Sequence, residues 1–179
     1  MNIIYRDDDV NVRTSFTLFK QINEEFKKAG RVHTIAIVMK DFFDNYELAH
    51  YCFTEPNIDI ELHGWEHTDF SKISIMSAIQ EISICLRYYK ENVERRYQVK
   101  YDELSKNKRL TTLFLPWNKD GISPRRACDE LNMFSCDVQN GEWQGNKIIS
   151  FHYWSVGDPN GLWINDALPP VNQRGGEKI

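Results

Sequence analysis

The chain has 179 residues, of which 41% are hydrophobic and 27% are charged, and its formal net charge is −4. This length predicts one domain covering residues 1–179, and the acidic balance argues against nucleic acid as a partner, because phosphate backbones attract basic proteins. The longest apolar run, residues 34–39, is far shorter than the roughly 20 residues that cross a bilayer, so no membrane partner or span is predicted.

The N-terminus and the cysteines both favour a cytoplasmic protein. The first residues lack the basic segment, apolar run and small-residue cleavage site of a secretory signal. The cysteines, at positions 52, 85, 128 and 136, contain no Cys-x-x-Cys pair and no dense disulfide spacing. We therefore expect reduced thiols that pack in the core.

Strand and helix patterns alternate along the chain. Strands are recognised by β-branched or strictly alternating apolar residues, and helices by apolar residues that recur every three or four positions. In chain order, the pattern predicts a strand at residues 2–7, a helix at 11–30, a strand at 32–39, a helix at about 45–53 and a strand at 58–62. It continues with a long helix that begins after Ser71, a strand at 110–115, a helix at 123–131, and strands at 133–137 and 147–153 separated by the turn-rich residues 139–146.

Several boundaries depend on particular residues. Ser71 is placed to cap the long helix, whose polar continuation over residues 91–108 is predicted to be a solvated extension and loop. The basic residues 106–109 within it are predicted to form a solvated face. Ser123, followed by a proline, is a good helix start. The tail from about residue 157 is rich in glycine and proline and is predicted to be loop.

This element order predicts an α/β fold with a mainly parallel sheet and helices outside, either an open layer or a barrel. Ligands of parallel α/β folds bind beyond the C-terminal ends of the strands. Reactive side chains stand at four predicted strand ends, namely Asp7-Asp8-Asp9, His63 with His67, Pro116-Trp117, and His152. The sequence therefore predicts a functional site at this edge of the sheet.

The histidines and aspartates have the spacing of a metal site. A His-x-x-x-His pair can place two imidazoles on one side of a helical turn, and one added carboxylate completes the three-ligand open site of catalytic metal ions. A second, adjacent carboxylate can accept a proton from the attacking water. The competing interpretations are a solvated acidic turn at residues 7–9, surface histidines at 63 and 67, and a core histidine at 152.

These residues resemble the motifs of the polysaccharide deacetylases with NodB homology, carbohydrate esterase family 4. The run Arg6-Asp7-Asp8-Asp9-Val10 resembles the first motif of that family, and His63-Gly-Trp-Glu-His67 resembles the second. By this resemblance Asp8 is the catalytic base, and Asp9, His63 and His67 are the metal ligands. A second register makes Asp7 the base and Asp8 the ligand. The first register is preferred because an apolar residue follows the aspartate pair.

The segment Phe114-Leu-Pro-Trp-Asn118 is similar to the third motif of the family. The resemblance implies that Pro116 and Trp117 line the substrate groove and that a backbone amide near Trp117 faces the oxyanion. The family has an arginine two places before the proline, where this chain has Phe114. The usual partner of the base is thus missing, and Arg6 is a candidate substitute.

Residues 148–154 resemble the last motif, an apolar strand that ends in a histidine. The resemblance implies that His152 protonates the leaving amine, and Trp154 is a candidate for contact with the sugar. Asp137 and Asp158 are both candidates for the aspartate that tunes this histidine.

The resemblance implies a distorted or incomplete (β/α) barrel and a metal-dependent hydrolase that removes N-acetyl, less often O-acetyl, groups from an amino sugar or polysaccharide. The implied cofactor is a divalent metal, zinc first, although cobalt, nickel and iron also suit an Asp-His-His set. The implied partner is a carbohydrate substrate. The alternatives are an inactive sugar-binding pseudoenzyme of the same fold, which the missing arginine favours, and a deacetylase of short oligosaccharides or small molecules.

Overall fold

The computed structural model describes residues 2–151, and within them the strands form one seven-stranded sheet. The strands are β1 (Ile3–Val10), β2 (His33–Ile37), β3 (Ile58–Leu62), β4 (Thr112–Phe114), β5 (Phe134–Cys136), β6 (Asn140–Trp143) and β7 (Asn146–Phe151). Their order across the sheet is β5-β4-β3-β2-β1-β7-β6. Neighbouring strands run parallel except β6 and β7, which form an antiparallel hairpin. The predicted mainly parallel sheet is confirmed.

Helices connect the strands and cover one face of the sheet. They are α1 (Phe16–Lys28), α2 (Tyr46–Thr54), α3 (Ile75–Tyr97) and α4 (Ile122–Glu130). Buried apolar side chains of β2 and β3 pack with those of α1, α2 and α3 in the main core. The other face carries a smaller cluster of four buried side chains, Ala36, Phe114, Cys136 and Ile148. None of the helices in residues 2–151 has the length and apolarity needed to span a membrane.

The two edge strands approach each other without forming a hydrogen-bonded ladder. Trp143 of β6 donates its indole N–H to the carbonyl oxygen of Ser135 in β5 at 3.2 Å. Its ring also meets Phe134 edge-on, with 6.3 Å between the ring centroids. The sheet is therefore an incomplete (β/α) barrel, as the family resemblance implies, and the smaller cluster fills its interior.

Two predicted helix caps are wrong. Asp69 accepts the backbone N–H of Ser71 at 3.2 Å, which holds Ser71 in a short 3-10 turn, and α3 begins only after Ser74. Ser74 accepts the backbone N–H of Ser77 at 3.1 Å and is the true cap. The second predicted cap, Ser123, lies inside α4. That helix begins at Ile122, and Gly121 is in the cap position.

One other prediction is wrong because the deciding contacts lie far away in sequence. Residues 91–97 form the expected extension of α3, but Lys108 is buried although its segment was expected to be solvated. The Lys108 ammonium donates to the carbonyl oxygens of Cys52, Glu55 and Ile58 at 2.7–2.8 Å. Two of these carbonyls lie at the C-terminal end of α2 and one at the start of β3. The carbonyls at a helix end have no partner within the helix, and Lys108 supplies one.

The strand β6 lies where only turns are predicted. A two-residue turn joins β6 to β7, and both of its residues have positive φ, 47° at Gln144 and 76° at Gly145. Left-handed backbone at both positions is what a type I′ hairpin turn requires. The Gln-Gly signal is thus a hairpin turn rather than a long loop.

A buried polar group, His33, lies between two aromatic rings at the start of β2. Its ring stacks on Phe26 and Phe19 with centroid distances of 4.5 and 5.2 Å. Nε2 lies 3.3 Å from Asp7 Oδ2, and Nδ1 lies 3.3 Å from Asn23 Oδ1. Burial lowers the pKa of His33 to about 3. The imidazole is therefore neutral in the folded protein at neutral pH.

Stability should fall on acidification because of His33. Below pH 6.5, the ordinary pKa of histidine, His33 is protonated in the unfolded chain, whereas in the folded protein it stays neutral until the pH falls to about 3. This group should therefore lower the free energy of unfolding by about 2 kcal/mol at pH 5. Glu61 acts oppositely, because burial and Asp59 raise its pKa to about 7. The test is urea unfolding of wild type and His33→Gln at pH 7 and 5. The contribution of Glu61 is the same in both proteins and cancels when their pH dependences are compared. Equal pH dependence in both proteins would contradict this assignment.

Candidate metal centre

Three predicted ligands come together at the C-terminal ends of β1 and β3. Asp9 Oδ1 lies 2.8 Å from His67 Nε2 and 3.3 Å from His63 Nε2. One donor atom from each residue lies within 4.8 Å of the other two. The donors of one tetrahedral zinc ion stand about 3.4 Å apart, given metal–ligand bonds of about 2.1 Å. One oxygen and two nitrogens at this spacing fit a divalent cation of that kind.

His63 is held in the orientation that a ligand needs. It directly follows β3, is 1% exposed, and donates from Nδ1 to the carbonyl oxygen of Phe114 at 2.7 Å. This bond fixes the Nδ1 proton and turns Nε2, the atom available to a metal, towards Asp9. Such support is typical of metal-binding histidines.

The His63–His67 segment is a loop rather than the helical turn that its spacing also allows. Gly64 has φ +89° and His67 has φ +63°, both in the left-handed region. The carbonyl oxygens of Gly64 and Trp65 accept the backbone N–H groups of Met39 and Lys40 at 2.9 and 3.0 Å. The loop thus continues the strand pairing of the sheet for two residues, and His67 is turned back towards Asp9 by its own positive φ.

Replacing Gly64 by alanine should weaken metal binding about 10–100-fold, the range for lost second-shell support. The new Cβ would lie 3.2 Å from Phe70 Cε2 and 3.4 Å from Glu81 Oε1, at a φ that alanine avoids. Glu81 also accepts the backbone N–H of Trp65 at 3.0 Å, so the disturbance reaches the loop that carries both histidines. Zinc titration of the purified variant measures the effect.

The matched control is Gly30→Ala. Gly30 also has a positive φ, +64°, but nothing lies within 4 Å of its Cβ position. It follows α1, away from the candidate centre. Both substitutions carry the backbone cost of about 1–3 kcal/mol in stability, so only Gly64→Ala should change zinc affinity. Equal zinc affinity in the two variants would refute the role assigned to the loop.

The charge of Asp9 is stabilised by its histidine neighbours. Burial alone raises the pKa of this carboxyl, but the hydrogen bonds and charges of His63 and His67 outweigh burial and hold its pKa well below the usual range. Asp9 is therefore a carboxylate, the form that binds a metal.

Strained backbone is concentrated at this site. Four non-glycine residues here have left-handed φ values, which are 61° at Asp9, 63° at His67, 62° at Trp117 and 52° at Asn118. For tryptophan this conformation is unfavourable and persists only when surrounding contacts fix it. The Trp117 side chain is 62% exposed, and its ring packs edge-on against His67 with centroids 4.6 Å apart. An exposed aromatic face thus stands beside the three ligands.

Asp7 and Asp8 have different surroundings. Asp7 contacts His33 in the core, whereas the buried Asp8 accepts two bonds from Arg6, 2.6 Å from Nε to Oδ1 and 2.5 Å from Nη2 to Oδ2. Ser150 of β7 donates its hydroxyl to Asp8 Oδ2 at 2.8 Å. The pairing of β1 with β2 is irregular between Asp7 and Val10, which interrupts the strand alternation where Asp8 and Asp9 stand.

The remaining predicted residues are placed as follows. Pro116 is buried and begins the 3-10 turn Pro116–Asn118 that carries Trp117. Asp137 is exposed. His152, Trp154 and Asp158 lie outside the described residues, as does the tail from residue 157.

Sequence reasoning missed two polar contributors, Ser150 and Asn118. Ser150 interrupts the apolar run of residues 148–151, a signal that could have marked it as facing a polar partner. Asn118 Oδ1 accepts a hydrogen bond from Arg6 Nη2 at 2.7 Å. Its role depends on the fold, which brings together residues 112 positions apart.

A groove of about 770 Å³ opens beside the three ligands. Asp9, His67 and Trp117 line one part of it, and Lys40 and Glu66, which form an ion pair, line another. Its size suits a small ligand or a few units of a polymer. The groove therefore provides access from solvent to the candidate centre.

No protein-family model matches the sequence, and no curated protein matches it. Solved structures are similar in fold. A family 4 carbohydrate esterase (CE4) pseudoenzyme from Bacillus anthracis aligns with TM-score 0.64 and 13% identity over 95% of this chain, and this chain spans only 58% of that protein. Peptidoglycan deacetylase PdaC from Bacillus subtilis aligns with TM-score 0.57 and 15% identity over 84% of this chain and 74% of its own.

A third similar structure is a family 4 acetyl xylan esterase from Clostridium thermocellum in complex with a cobalt ion. It aligns with TM-score 0.58 and 12% identity over 94% of this chain and 82% of its own. At such low identities these likenesses establish the fold, which is that of the CE4 proteins.

Proposed function

We propose that the protein is a metal-dependent hydrolase that removes acetyl groups, N-acetyl groups first, from an amino sugar or polysaccharide. The observation that carries the proposal is the convergence of Asp9, His63 and His67 next to a buried, arginine-bound carboxylate, Asp8. The fold shared with a deacetylase and an acetyl esterase supports it. The same geometry favours the register in which Asp8 is the base and Asp9 the ligand.

Asp9, His63 and His67 would hold the metal ion. This donor set suits zinc first, and also cobalt, nickel or iron(II). When bound, a divalent metal would polarise the acetyl carbonyl and lower the pKa of a water molecule. The protein contributes a carboxylate that is ionised and a histidine that is already oriented, so little rearrangement precedes binding.

The other residues have separate roles in the proposed reaction. Asp8 takes the proton from the attacking water, which is the work of a general base. The exposed face of Trp117 stacks on a sugar ring, as aromatic side chains do beside polar sites. His152 protonates the leaving amine, an assignment that rests on the sequence resemblance. Trp154 contacts the sugar, an assignment that rests on the tendency of aromatic side chains near polar sites to stack on sugar rings. Pro116 fixes the start of the turn that carries Trp117.

The test is acetate release from N-acetylglucosamine oligomers, acetylated xylan and small acetamides, with the bound metal quantified. We expect about one metal ion per chain and release of acetate that a chelator abolishes and zinc or cobalt restores. One metal ion per chain without turnover of any substrate would overturn the hydrolase and indicate a sugar-binding protein. Absence of metal binding would overturn the metal centre itself. Turnover of the acetamides alone would move the substrate class to small molecules.

A further inference from the structure

Arg6 is a buried cation that joins four parts of the fold. Its side chain is fully buried, and its guanidinium donates to both oxygens of Asp8 on its own strand. The same group donates to Asn118 Oδ1 at 2.7 Å and to the carbonyl oxygen of Val138 at 2.9 Å. Its Cζ lies 4.8 Å from the centroid of the Phe114 ring in β4. One side chain therefore contacts β1, β4, the turn after β4 and the segment after β5.

Stability alone gives a weak reason for this arrangement. Removing an arginine and a carboxylate from water is costly, and apolar replacements of a buried ion pair are often neutral or stabilising. A buried pair is therefore better explained by the geometry that it fixes. Here the geometry is that of Asp8 and of Asn118, which adjoins Trp117 in a turn where both residues have left-handed backbone.

We propose that Arg6 is a positioning residue that fixes the carboxylate of Asp8 and the turn carrying Trp117 relative to each other. The inference rests on the proposed function, in which Asp8 is the base and Trp117 contacts the sugar. Arg6 acts on the reaction through its two partners, Asp8 and Asn118. One guanidinium binds both Asp8 and Asn118, so it fixes the distance between the Asp8 carboxylate and the Trp117 ring. A change that weakens these bonds therefore frees both groups to move.

The fork of the guanidinium is needed for this role. Nε and Nη2 bind the two oxygens of Asp8, Nη2 also binds Asn118, and Nη1 binds Val138. A lysine carries the same charge on a single nitrogen and cannot direct donors along these separate lines. Arg6→Lys therefore separates the charge of the residue from its geometry.

The first test is Arg6→Lys against Arg31→Lys. Arg31 lies over the ring of Tyr5 and donates to its hydroxyl, before β2 and away from the candidate centre. We expect Arg6→Lys to lower kcat about 100-fold and to raise KM for oligosaccharides severalfold, with zinc stoichiometry unchanged. Arg31→Lys should leave kcat and KM unchanged. Wild-type kcat and KM in a zinc-loaded Arg6→Lys protein would overturn the proposal.

A rescue experiment excludes a merely structural role. Because the guanidinium lies against the Phe114 ring, an arginine placed at position 114 can direct its guanidinium to the same space from β4. We expect Arg6→Ser to lose activity and Arg6→Ser/Phe114→Arg to recover at least about 10-fold of it. A folded, zinc-loaded double variant with no recovery would overturn the proposal.

The same series separates this inference from the proposed function. Wild-type acetate release decides the function, whereas the ratio between variants and wild type decides the role of Arg6. If the wild type bound oligosaccharide without turnover, the hydrolase would be refuted. The positioning role would then be judged from oligosaccharide Kd by calorimetry, in which Arg6→Lys must bind severalfold more weakly than Arg31→Lys. Equal Kd values would refute it.

Discussion

Replacing Asp8 by asparagine should lower kcat for acetate release by about 10²–10⁴-fold, the range for loss of a general base. Asparagine has nearly the same shape as aspartate and keeps an oxygen that Arg6 can reach, but its amide accepts no proton at neutral pH. The proposed metal ligands Asp9, His63 and His67 are untouched, so zinc stoichiometry should stay at about one per chain. Metal analysis and steady-state kinetics on the same preparation measure both quantities.

The control for Asp8→Asn is Ser150→Ala. Ser150 donates to Asp8 Oδ2 at 2.8 Å, so its removal takes one hydrogen bond from the carboxylate and leaves the charge in place. We expect a smaller loss than in Asp8→Asn, since one hydrogen bond to a charged group contributes about 1.5–3 kcal/mol and the carboxylate itself remains. Full activity in Asp8→Asn would show that another group is the base. Loss of zinc from that variant would place Asp8 among the ligands instead.

Replacing His67 by alanine should weaken zinc binding by more than about 100-fold, beyond the range seen for second-shell changes, and acetate release should fall with it. His67 Nε2 lies 2.8 Å from Asp9 Oδ1, and its side chain is about one quarter exposed. Its loss therefore leaves a small cavity and costs the metal-free protein little stability. Zinc titration and thermal unfolding of the metal-free protein separate the two effects.

His50→Ala is the matched control for this experiment. His50 of α2 is exposed, and its ring packs on Tyr46 of the same helix and on Tyr97 at the end of α3. Zinc affinity should be unchanged there, because His50 contacts none of the three ligands. Unchanged zinc affinity in His67→Ala would remove His67 from the centre.

The place of the candidate site could be predicted from the sequence because it depends on strand ends. The residues Asp9, His63 and His67 follow apolar strand patterns, and parallel strands bring their C-terminal ends to one edge. The shape of the histidine segment could not be predicted, since a four-residue spacing fits a helical turn as well as a loop. The positive φ of Gly64 and the backbone hydrogen bonds with residues 39–40 hold the segment as a loop.

Long-range contacts explain what the sequence pattern misses. The local sequence predicts a solvated Lys108, because its three carbonyl acceptors lie 50–56 residues earlier in the chain and leave no sign near residue 108. Arg6 could be named as a candidate partner for the base, but its bond to Asn118 spans 112 residues. Periodicity reports the local face of an element and carries no information on such partners. The predicted cap at Ser71 is wrong for a local reason. Asp69 accepts the backbone N–H of Ser71 and holds it in a 3-10 turn before α3.

The position of β1 between β2 and β7 sets an order in which the site can be assembled. The residues Asp9, His63 and His67 all lie in the first 67 positions of the chain. The surroundings of Asp8 also require Val138 and Ser150, whose contacts span 132 and 142 residues. Contacts between such distant positions form late, because the intervening chain must first be ordered. During synthesis on the ribosome the three proposed metal ligands therefore emerge well before the proposed base can have its surroundings, and the proposed hydrolysis would have to await nearly the whole described chain.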